Sequence, residues 1–316
     1  MTMPIMEPAL DAATLQAWAA SPYRALGIYI GGTNRACAQP NLTPQWVLDT
    51  TALGWSLLPL YVGLQAPCAG QSGLQKLSTT LATATAQGQA AADDAVAKAQ
   101  ALGLPAGSPI WFDMEGYKVG NTGCSNAVRS FVTGWDDELR AVGFVPGVYG
   151  SAASTIRDVS TLDIPPDLAW IANWNGVQSV FGDRYVSDSV WANHQRVHQY
   201  KGGHKETYGG VTINIDSNIV DSAVVGGIAP PPPPSAGGDW RGNANAFALV
   251  MGDPVLDVLL KPAVPTAKAV PVGEPKVARP SAPAPVSGCS PNSQFSPGTA
   301  QLVLALVGSR GTYVGM

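Results

Sequence analysis

Charge is scarce in this chain: 13% of its 316 residues are Asp, Glu, Lys or Arg, and the formal net charge is −4. So mild a balance gives nucleic acid or an anionic membrane no electrostatic hold, and neither is expected as a partner. No apolar run reaches about 18 residues, so no membrane span is expected. The opening MTMPIMEPALDAATLQ lacks the basic and apolar regions of a secretory signal. Cysteines number four, Cys37, Cys68, Cys124 and Cys289, and none lies in a CxxC or Cys/His cluster. That spacing argues against a zinc site. Three histidines, His194, His198 and His204, fall in HQRVHQYKGGH without a nearby run of carboxylates. Neither metal nor cofactor is expected. No GxGxxG or P-loop follows a strand, and no GxSxG elbow presents a serine nucleophile.

What is present points elsewhere. Nine Trp and nine Tyr beside low charge suit an exported bacterial protein, extracellular or held at the cell wall. In such a compartment one disulfide among Cys37, Cys68 and Cys124 is expected, although spacing does not choose the pair. Strand patterns recur at Ala25–Gly31, Ser56–Gln65, Pro109–Glu115, Val145–Ser151, Leu168–Trp174, Gln195–Tyr200 and Val211–Ile219. Helical patterns separate the earlier ones: 43–53, with Thr43 as cap and Pro44 at the first helical position, then 88–102 and 125–142. This alternation predicts an α/β fold, a (β/α)8 TIM-like barrel of residues 1–228, working as a monomer. PPPPPSAGG marks a linker at 229–238. Residues 239–316 read as a low-complexity Pro/Ala-rich tail, largely disordered, or as a small accessory segment, with a short helix near either end in the apolar pieces 246–260 and 300–307.

The stretch PIWFDMEGY, 109–117, carries two acids at the end of an apolar strand. Strand alternation puts Trp111, Asp113 and Glu115 on one face and Ile110, Phe112 and Met114 on the other. Burying two carboxylates there is costly without a purpose. In a barrel, that strand end is the mouth where active sites lie. Other strand ends offer Tyr29, Tyr61, Tyr149, Asn173, Trp174, Gln199, Tyr200 and Asp216. Rings with amides and acids around a mouth match what a sugar requires.

The pieces GIYIGG, DDAVAKAQALGLPAGSPIWFDME, VYGS, AWIANW, HQY and NIDSN resemble the glycoside hydrolase-like domain of unknown function 1906 over about residues 20–225. That domain is similar to family-25 lysozymes, (β/α) barrels that cleave the glycan of peptidoglycan. The resemblance implies a cell-wall glycan as partner, Glu115 as general acid, and Asp113 and Asp216 as the acids that assist it. It also shows a departure: Tyr29 stands where those lysozymes carry a first-strand Asp. A catalytically inactive glycan-binding barrel is therefore the alternative.

Overall fold

The structure, a computed structural model, describes the backbone of residues 5–6, 9–35, 37–226 and 300–307, with side chains in 9–35 and 37–226. The expected linker and the rest of the tail lie outside these residues. In chain order the elements are β1 (Ile5–Met6), α1 (Ala12–Trp18), β2 (Ala25–Gly31), α2 (Pro44–Ala52), β3 (Ser56–Tyr61), α3 (Leu81–Ala101) and β4 (Pro109–Met114). There follow α4 (Thr122–Ala141), β5 (Val145–Ser151), a π-helical turn over Ala152–Ile156, α5 (Arg157–Val159), β6 (Leu168–Ala172), β7 (Arg196–Tyr208), β8 (Val211–Asp221) and β9 (Ala300–Val307).

Local chemistry sets the helix starts. Thr43 caps α2 by accepting from the Trp46 N–H at 3.1 Å, with Pro44 at the first position. Asn121 caps α4 through the Cys124 N–H, also 3.1 Å away. The Ala-rich α3 begins at Leu81, about two turns before its expected start at Gly88.

Strands β2 to β7 lie side by side in chain order, all parallel. β8 then returns antiparallel along β7. The sheet is thus a curled, mostly parallel half-barrel of seven strands, consistent with the expected TIM-like barrel but not a closed eightfold one. The cause is local. Gly209 and Gly210, both at positive φ (56° and 79°), join β7 to β8 in a two-residue turn. Such a turn makes only an antiparallel hairpin, since a parallel return needs a long crossover. The tail corrects a second expectation: residues 300–307 form a strand rather than a helix, parallel to β8 and touching β2 antiparallel through two residue pairs.

Alternation along the strands sorts two apolar layers. Ile110, Phe112 and Met114 face outward, where Phe112 meets Phe131 and Trp135 of α4 at ring distances of 4.6 and 5.1 Å. Leu58, Leu60, Trp111, Trp170, Val197 and Val220 fill the inside. A disulfide, Cys68–Cys124, ties the loop after β3 to the first turn of α4, and Cys37 is also disulfide-bonded. The Cys68–Cys124 bridge spans a sequence separation of 56. Loop-closure entropy for such a ring is worth about 4 kcal/mol. Replacing both cysteines by serine is expected to lower unfolding free energy by about that amount in denaturant titration. A loss under about 1 kcal/mol would show the bridge to be energetically idle.

Candidate active site

The inward positions toward the carboxyl ends of the parallel strands bring Tyr29 on β2, Asp113 and Glu115 at the end of β4, Tyr149 on β5 and Gln199 on β7 together with Asp216, midway along antiparallel β8. Asp113 and Tyr149 are register partners on adjacent strands. Asp113 is 3% exposed and Asp216 1%, while Glu115, just past the strand, keeps partial exposure.

Electrostatics confirms the convergence. Burial pushes Asp113 well above the usual carboxylate range, and the neighbouring charge of Glu115 pushes it further. Burial raises Glu115 too, against a hydrogen bond from the Gly116 backbone that favours its anion. Asp216 is pushed up to about 7, by burial first and by Glu115 in addition, the Gly203 N–H acting the other way. Tyr29 and Tyr149 are both held protonated, chiefly by burial and then by the fields of these three acids. Desolvation and like-charge repulsion act in the same sense, so the cluster retains protons that exposed carboxyls would have lost.

Gln199 links the group. Its Oε1 accepts from the Tyr149 hydroxyl (3.1 Å) and from the Trp174 indole N–H (2.7 Å), and its Nε2 donates to Asp216 Oδ2 (3.2 Å). The opposite oxygen, Asp216 Oδ1, accepts from the Gly203 N–H at 2.7 Å. Trp174 lies over Gly202, where a Cβ would stand 2.5 Å from the indole, and the side chain remains 49% exposed. Asp113 Oδ1 is buried without a hydrogen-bond partner. That unsatisfied acceptor inside an acidic cluster is a place for a donor from a ligand.

Other expected site residues go elsewhere. Tyr61 faces the helices, donating to Asp94 Oδ2 at 2.7 Å and packing near Trp135. Tyr200 also points outward, within hydrogen-bonding reach of Gln178 and Ser217. Asn173 donates to Asp183 Oδ2 (2.6 Å), and its carbonyl faces His198 Nε2 (3.0 Å), so it braces the loop after β6. Trp111 is on the inner face but fully buried below the acids, edge-on to Trp170. The histidines do not converge: His194 meets Asp221, His204 meets Glu206, and His198 meets the carbonyls of Ser179 and Asn173. Gln65, read from the sequence only as the end of the strand pattern 56–65 and not as a site residue, is fully buried beside the acids.

A curled parallel sheet with acids and tyrosines at its carboxyl ends is the arrangement of a glycoside hydrolase-like barrel. The model of the Rv2525c-like, glycoside hydrolase-like domain matches residues 16–220, and the chain belongs to that family. No curated protein matches the chain. Among solved structures it is similar to an uncharacterized B. stearothermophilus protein, at 18% identity over 64% of this chain and 90% of that one, with a TM-score of 0.41. The Tat-secreted protein Rv2525c of Mycobacterium tuberculosis follows, at 16% identity over 63% and 86%, TM-score 0.40. The modular autolysin LytC of Streptococcus pneumoniae is similar at 11% identity over 61% and 40%, TM-score 0.39.

The raised pKa of Asp216 has a consequence for stability. A carboxyl with a folded-state pKa above its unfolded value stabilises the fold fully at low pH. That contribution is lost as pH rises from about 4 through about 7. Asp216→Asn is expected to make the fall of unfolding free energy across that window shallower by a few kcal/mol, to order of magnitude. An unchanged slope would mean that Asp216 ionises at an ordinary pH.

Proposed function

We propose that this domain is a glycoside hydrolase acting on a bacterial cell-wall polysaccharide such as peptidoglycan, with Glu115 as general acid. The observation that carries this reading is the acid cluster of Asp113, Glu115 and Asp216 beneath the half-exposed Trp174. Glu115 combines access to solvent with a pKa raised by burial, the two properties that a general acid in reach of a ligand needs. It gives its proton to the glycosidic oxygen as the bond to the anomeric carbon breaks. Asp216, whose anion Gln199 and Gly203 hydrogen-bond, faces the positive charge that develops on the sugar, and water then adds to that carbon and returns a proton to the site. The indole of Trp174 supplies an apolar face for a pyranose ring to stack on. Tyr29 and Tyr149 offer neutral hydroxyls to the ligand. The Cys68–Cys124 bridge fits an extracellular or cell-wall location. Among the described residues no helix is long and apolar enough to cross a membrane.

A second reading has an observation of its own. Tyr29 occupies a place on β2 where an additional acid would strengthen the charge facing the cationic transition state, so the barrel binds glycan without cleaving it. Turnover on purified wall polysaccharides decides between the two. As a hydrolase, wild type releases reducing ends, and Glu115→Gln lowers that rate on the order of 10²–10⁴-fold while glycan binding persists. As a binder, wild type releases none, and Trp174→Ala weakens binding more than Glu115→Gln does. Hydrolysis unaffected by Glu115→Gln would remove Glu115 from the role.

A further inference from the structure

We propose that Gln65 is the positioning residue of the acidic site, a side-chain clamp that takes over where the sheet stops holding the chain. This rests on the reading of Glu115 as the proton-holding group. The ladder between β4 and β5 ends at the pair Met114–Gly150, so the Glu115 peptide lies beyond the last strand pairing. Gln65 provides the missing partners. Its Nε2 donates to the Asp113 carbonyl at 2.8 Å, and its Oε1 accepts from the Glu115 N–H at 2.7 Å. A carbonyl only accepts and a peptide N–H only donates, so these two contacts fix which end of the amide is which. The clamp therefore spans Met114 and sets the angle between the two acidic side chains on either side of it. From the opposite side, Thr155 Oγ1 donates to the Met114 carbonyl at 3.1 Å.

The clamp is itself anchored. The Gln65 N–H donates to the Gln75 carbonyl and the Leu77 N–H to the Gln65 carbonyl, both at 2.9 Å. Asn34 Nδ2 ties the same loop through the carbonyls of Gly63 (2.8 Å) and Gln75 (2.9 Å). Three residues on, Cys68 is bonded to the start of α4. Gln65 Nε2 also reaches the Gly63 carbonyl of its own loop at 3.2 Å, but the shorter contacts of both amide atoms go to the peptides flanking Met114, which a residue serving the loop alone would not need.

The test is carboxyl-carbon NMR titration of Glu115 in wild type, Gln65→Leu and Gln65→Asn, with thermal unfolding measured alongside. Leucine removes both hydrogen bonds; asparagine keeps a buried amide but is too short to span the two peptides. In both variants Glu115 swings toward solvent, and its titration midpoint falls from its raised wild-type position toward the ordinary value of about 4.3. If either folded variant leaves the Glu115 midpoint at its wild-type value and only unfolds at lower temperature, Gln65 is a structural residue and the proposal is overturned. The readout needs no turnover. A wild type that hydrolyses nothing but shows the shift retires the hydrolase reading and keeps the clamp. A wild type that hydrolyses, with Glu115 unmoved in the variants, does the reverse.

Discussion

Carboxylates repel one another, and the repulsion grows when water is removed. At the open end of this sheet, Asp113, Glu115 and Asp216 are held close enough that each of the other two is raised partly by Glu115. The rest of the site is arranged around that constraint. Protons kept on the cluster relieve the charge, neutral tyrosines rather than more acids surround it, and Gly203 and Gln199 donate to Asp216 where it must carry an anion. A raised carboxyl alone does not mark such a site. Asp136 on α4 is also buried with both oxygens unpartnered and its pKa raised by burial. It is the convergence of several acids from different strand ends, under an exposed indole, that separates function from a costly burial.

The sheet makes that convergence with little more than alternation. Each strand sends one set of side chains to the helices and the other to the interior, so residues from β2, β4, β5, β7 and β8 meet without any one loop having to place them. Loops refine the result. Gln65 holds the end of β4 from one side and Thr155 from the other, while Asn173 and His198 brace the segment that carries Trp174.

Much of this was readable from the sequence. PIWFDME announced a buried strand with inward acids, and period-two alternation correctly separated Asp113 from Phe112. Asp216 and Tyr29 fell on the expected face. Tyr61 and Tyr200 did not, because nearness to a strand end does not fix the face, and the next residue along a strand points the opposite way. The hairpin was written in YGGV, 208–211, a two-residue glycine turn that demands an antiparallel partner. Reading HQY and VTINID as separate barrel strands passes over that turn. The role of Gln65 had no local sign: its partners lie 48 and 50 residues away, and only tertiary structure brings them to its amide. The strand at 300–307 was hidden likewise, since an eight-residue apolar run does not distinguish helix from strand.

The central claim is that the fold keeps a proton on this acid cluster near neutral pH. Site-resolved carboxyl NMR titration of Asp113, Glu115 and Asp216 in the wild-type protein tests it most directly. The account predicts that at least one of the three titrates above about pH 6, with Asp216 near the value its burial implies. Ionisation of all three complete below about pH 5, as for exposed carboxyls, would contradict it.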